Sequence, residues 1–127
     1  MPQSERGFTI VELIVVVLVI GILLGLTLPN LFSAQARARD DTRKNDLRNL
    51  QQSLETYYND NISYPTTAET LSVLAPEYIN TVPSDPKGGG YIYESDGNSY
   101  ALTADLENNN DQHANDSGNY VLDSVNQ

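Results

Sequence analysis

Apolar side chains crowd one end of this chain and become periodic further along it. Residues 13–36 contain no charged side chain, and 8–28 are almost wholly apolar. A helix over 8–28 rises about 1.5 Å per residue and reaches roughly 31 Å, close to the hydrocarbon thickness of a bilayer. Val15, Val16, Val17, Val19 and Ile20 are weak helix formers in water. In lipid the backbone must satisfy its polar groups within the segment, which imposes the helix. From Leu47 the pattern changes, with Leu47, Leu50, Leu54, Tyr57 and Tyr58 recurring at steps of three and four. That spacing predicts one buried face on a helix running to about Tyr58 and ended by Asn59-Asp60-Asn61 and Pro65. Residues 34–46 show no apolar stripe. Arg37 with Asp41, Asp40 with Lys44 and Arg43 with Asp46 stand at helical spacings there, which reads as a solvated, salt-bridged connecting helix.

The remainder predicts short elements. Thr66-x-x-Glu69 is a capping box for a short helix carrying Leu71 and Leu74 and stopped near Pro76. Pro83-Ser84-Asp85-Pro86-Lys87-Gly88-Gly89-Gly90 is a turn-rich loop, and its glycines lack the Lys-Ser/Thr of a phosphate loop. Residues 91–93 and 100–106 read as two strands joined around Asp96-Gly97-Asn98, with a third at Tyr120-Val121-Leu122. The fold class is α+β: a long N-terminal helix, membrane-spanning in its first half and amphipathic in its second, packed on a small antiparallel sheet. The expected division is a leader over 1–7, a spanning half over 8–29, an amphipathic half over 30–59, and a small head with an acidic, flexible C-terminal tail over 60–127.

Composition sharpens this division. The 127 residues carry a net charge of −10, and mean hydropathy is −0.38, a value that hides the apolar segment. Charge runs from −1 over 1–29 to +2 over 30–49 and −11 over 50–127, and all eight tyrosines lie at or beyond Tyr57. An acidic chain has a poor non-specific grip on nucleic acid, so no sequence-specific nucleic acid binding is expected. The five neck bases could hold DNA or anionic headgroups, but they read first as a salt-bridged face. With no cysteine, disulfides and thiolate metal sites are excluded, and His113, the sole histidine, has no nucleophile partner in a recognisable motif. An enzyme is not expected.

Glu12 is the informative residue. A carboxylate inside a bilayer costs about 2.5 to 3.5 kcal/mol on insertion scales, so it tends to be kept for a partner. It follows Arg6-Gly7-Phe8-Thr9-Ile10-Val11. Gly21, Gly25 and Pro29 are helix breakers in the same segment, and the helix should kink or open at Pro29. Two other readings stay open: a buried core element, and a secretory signal cut near Ala34-Gln35-Ala36.

Gly-Phe-Thr-x-x-Glu-Leu before an apolar run resembles the processing signal of the type IV pilin superfamily, which includes the pseudopilins of type II secretion. The resemblance implies that a prepilin peptidase cuts between Gly7 and Phe8 and N-methylates Phe8. It implies that Glu12 pairs with the terminal amine of a neighbouring subunit and sets axial register, and that Gly21, Gly25 and Pro29 mark a segment that melts in filaments. The partners implied are further copies of the chain, an assembly ATPase and an inner-membrane platform protein. The place implied is the cytoplasmic membrane, crossed once with the head outside, and then an extracellular pilus or a periplasmic pseudopilus. The lysine and arginine count of the neck favours the opposite orientation. Tyr64-Pro65, Pro83-x-Asp85-Pro86 and Tyr91-x-Tyr93 extend the likeness to about residue 106. Residues 108–116 are oxygen-rich but lack EF-hand spacing, so no metal is expected from the residues alone. The resemblance implies calcium in a C-terminal loop, with Asp105, Asp111 and Asp116 as the acids to test, while Lys87 replaces the tryptophan usual after Asp-Pro. The function expected is a prepilin that polymerises into a pilus or pseudopilus. The alternative is a membrane-anchored or secreted binding domain that never polymerises.

Overall fold

The computed structural model describes residues 7–67, 69–108 and 110–125. The leader through residue 6, and the side chains of residues 28–30, lie outside that description. Among the described residues helix α1 spans Ile10–Asn61, followed by a 3-10 turn at Leu71–Leu74 and strands β1 (Ile92–Ser95), β2 (Tyr100–Asp105) and β3 (Asn119–Asp123). The strands form an antiparallel sheet in the order β1-β2-β3. The chain divides into two compact units, Met1–Gln35 and Ala36–Gln127.

In the first unit every described side chain is exposed, including Val11, Leu13, Leu23 and Phe32. An 18-residue window of α1 reaches a mean hydropathy of 2.9 with none of it buried, so by length and composition the helix can cross a membrane. The helix stays continuous where the sequence predicts an opening at Pro29. Proline removes one hydrogen bond, to the carbonyl of Gly25, and the turns on either side remain helical.

The second unit is built around the amphipathic part of α1. Leu47, Leu50 and Leu54 are fully buried, and Tyr57 and Tyr58 pack half-buried against the same core. The facing layer comes from Tyr100, Leu102, Ala104 and Leu106 of β2 and its exit, Tyr120 of β3, Leu74 and Tyr64. Strand alternation puts Tyr93, Leu102 and Leu122 in one inward row of the sheet register. Tyrosine rings tie the layers together, with Tyr58 stacked on Tyr64 and Tyr64 edge-on to Tyr100. Tyr64 and Tyr100 donate their hydroxyls to the Glu55 carboxylate at 3.0 and 2.9 Å.

Two local expectations change. The backbone N–H and hydroxyl of Thr66 donate to Glu69 Oε2 at 2.7 and 3.0 Å, but this contact closes a turn and starts no α-helix. Thr70 has φ 62° and ψ 169°, which breaks the helical path and confines Leu71–Leu74 to one 3-10 turn. The hairpin lies where the sequence places it. Asp96 Oδ1 accepts the N–H groups of Asn98 and Ser99, and Gly97 takes φ 89°, a left-handed value that glycine adopts freely.

Candidate functional site

Two groups of side chains stand out, one in each unit. At the start of α1, Glu12 N–H donates to Thr9 Oγ1 at 3.2 Å. In return Thr9 N–H and Oγ1–H donate to Glu12 Oε2 at 3.4 and 3.3 Å. This is a reciprocal capping box at the first turn, whose signature Thr9-x-x-Glu12 was readable in the sequence and passed over there. The helix dipole at this end also favours a negative charge. Glu12 is therefore held at the first turn of an exposed apolar helix, four residues from Phe8, with oxygen lone pairs left to accept a cation. Gly21 and Gly25 have open space where a Cβ would stand, so no contact within the chain requires their smallness.

The second group lies between α1 and the loops of the head. Asp40 and Arg43 are 1% and 3% exposed, which corrects the expectation of a solvated connecting helix. Arg43 donates through Nε and Nη2 to the two oxygens of Asp85, and through Nη1 to Asp40 at 2.7 Å and Glu107 at 2.9 Å. Asp40 accepts the backbone N–H groups of Glu107 and Asn108, each at 2.9 Å, which pins the exit of β2 to the helix. Arg39 forks onto Glu107 with two bonds of 2.7 Å, and Lys87 reaches Glu107 at 2.8 Å. Hydrogen bonding to Arg43 holds the Asp85 carboxyl below the usual carboxylate range, and Arg39, with Lys87 and Arg43, does the same for Glu107. The same contacts raise Arg43 further. Of the helical-spacing pairs read from the sequence, Arg43 turns to Asp40, Asp85 and Glu107, and Lys44 pairs with Asp41 and with Asp111 instead. Asp46 accepts the Tyr91 hydroxyl at 2.6 Å.

The three acids named for calcium do not converge. Asp105 and Asp116 are exposed, on β2 and in a turn. Asp111 binds Lys44 Nζ at 2.8 Å through Oδ2, while Oδ1 accepts the N–H of His113. The Lys44 bond depresses the Asp111 carboxyl to about 2. Among the described residues no cluster of three or more acids, histidines or cysteines could hold a metal ion.

An exposed apolar helix capped by a lone carboxylate, continuing as the spine of a small antiparallel head, defines a pilin-like subunit. The family model described as type II secretion system protein G matches residues 30–120, and the prokaryotic N-terminal methylation motif matches residues 2–28. Similar curated proteins carry the name type II secretion system core protein G. That of Klebsiella michiganensis is 38% identical over 75% of this chain and 77% of its own length. That of Escherichia coli (strain K12) is 36% identical over 75% of each, and that of Vibrio cholerae is 32% identical over 94% of each. No solved structure matches at a significant level. The chain belongs to the type II secretion system protein G family, and is a pseudopilin, a structural subunit of the secretion pseudopilus.

Proposed function

We propose that this subunit is matured by hydrolysis of the Gly7–Phe8 bond and N-methylation of Phe8, and that Glu12 of one copy then neutralises the terminal ammonium of the next. The observation that carries this reading is the capping box, which holds the only carboxylate of an exposed apolar helix at its first turn. Hydrolysis leaves an ammonium on Phe8, and methylation keeps that charge. Buried among apolar helices, an unpaired ammonium and an unpaired carboxylate are each expensive, and together they satisfy one another. Register follows, because only one axial offset pairs the two.

The partners of this sequence of events are a prepilin peptidase, an assembly ATPase and an inner-membrane platform protein. The head faces the periplasmic side before assembly, against the lysine and arginine count of the neck. Gly21, Gly25 and Pro29 are the points at which α1 loosens on packing into the filament. The role is mechanical and needs no catalytic group. The test is the intact mass and N-terminal residue of protein isolated from membranes or filaments. A start at methylated Phe8 is expected. A start near Arg37 would make this a secreted domain, and an intact leader without polymer a plain membrane-anchored binder. Protection of the head from protease added outside spheroplasts would overturn the orientation.

A further inference from the structure

The geometry points to a second contact between copies of this chain: the outer face of the β-sheet of one subunit against the outward face of α1 of another, through Arg37 and Arg48. This rests on the filament reading above. A subunit with a net charge of −10 repels its own copies, and its cations must be found where they remain free. Arg39, Arg43, Lys44 and Lys87 are spent on acids of the same chain. Among the described residues Arg37 and Arg48 make none of these pairs, and both are exposed. Eleven residues apart on one helix, they stand about 20° apart in angle and about 16 Å apart along the axis, a two-point basic stripe.

The sheet presents the complement. Its inward side chains form the core, so β-strand alternation sends Glu94, Ala101 and Asp123 outward in one row, and Ile92, Thr103 and Val121 in the next. Asp105 ends the face four residues along β2 from Ala101, about 13 Å away. Two acids at one end, one at the other and exposed aliphatic side chains between them match the arginine spacing, and the arginine stems take up the remainder. Among the described residues Glu94, Asp105 and Asp123 enter no ion pair, and Lys87, which lines the same depression as Asp105, is paired with Glu107.

The experiment uses the full chain produced with a type II secretion assembly system, with filaments sheared from cells and quantified. Filaments from the unaltered chain test the reading above; the variants test this contact. Arg48→Glu should lower filament yield by at least about tenfold, since each repulsive pair recurs along the polymer. The Tm of the detergent-solubilised subunit should stay unchanged, because among the described residues Arg48 enters no ion pair. Glu94→Arg or Asp123→Arg placed in the same chain as Arg48→Glu should restore assembly, and raised salt should weaken the unaltered filament. Normal filaments from Arg48→Glu would overturn the contact, as would a loss that neither sheet variant repairs. An Arg48→Glu chain that instead loses insertion into phosphatidylglycerol vesicles would place the arginine on headgroups and overturn it equally.

Discussion

The two units of this chain solve opposite problems with the same helix type. In residues 8–27 and 31–35 the apolar side chains are exposed, and the sole carboxylate is tied to its own first turn. In residues 36–127 a core of apolar side chains, Leu47, Leu50, Leu54, Leu74 and Leu102 among them, points inward, and charged groups as buried as Asp40 and Arg43 are tied to segments dozens of residues away. The first stretch calls for lipid or other copies, since among the described residues nothing in its own unit covers it. The second buries a core of its own. A substitution in the apolar stretch should therefore leave the folding of the head largely untouched.

The sharpest break of that comparison is Glu12→Ala. Filaments should be lost while membrane insertion persists, read by shearing and by carbonate extraction, because removing a carboxylate makes the span more apolar. Next comes Arg43→Ala, which strands Asp40 without its cation and frees Asp85. A loss of about 3 to 5 kcal/mol is expected for breaking a buried pair, measured by denaturant unfolding of the solubilised subunit. If that loss were near zero, the charged network would be surface decoration after all.

Acid should act on the head selectively. The carboxyls of Asp85, Glu107 and Asp111 are depressed in the folded state, so the stability they supply is present above their unfolded pKa values. It falls as pH drops below about 4; the Asp111 share is lost as pH falls through about 2, and the Glu107 share persists to lower pH still. A Tm measured across that window should decline with each step, and Lys44→Ala should flatten the Asp111 share. Calcium chelation should leave Tm unchanged, because the Lys44 ammonium already sits on Asp111. A rise in Tm with added calcium would restore the metal site.

The smallest expected effect runs in the favourable direction. Ile62 ends α1 in the left-handed region at φ 58°, with its side chain 73% exposed. A β-branched residue is strained there, and Ile62→Asn or Ile62→Gly should stabilise the head by about 1 kcal/mol.

Much of this molecule was legible without coordinates, for local reasons. An uncharged run announces a helix that lipid can accept, and the three-and-four spacing of Leu47, Leu50 and Leu54 marks a face to be covered. Asp96-Gly97 between alternating strands announces a hairpin, since few other pairs suit the turn. Thr9-x-x-Glu12 was equally local, and its role as a cap was there to be read. What a local pattern could not carry was the choice of partner for each charge. Arg43 stands at helical spacing from Asp46, yet Asp85 and Glu107, 42 and 64 residues on, compete for the same guanidinium. They win because the packed head brings planar carboxylates to its fork and shields them from water, where an exposed helical pair gains only a few tenths of a kcal/mol. The chain's order thus determined where the helix, the strands and the membrane segment fall, because each depends on neighbours in sequence. Tertiary structure alone decided which cations are spent inside the head and which remain for another copy, because electrostatic pairing follows distance in space and the water excluded from it.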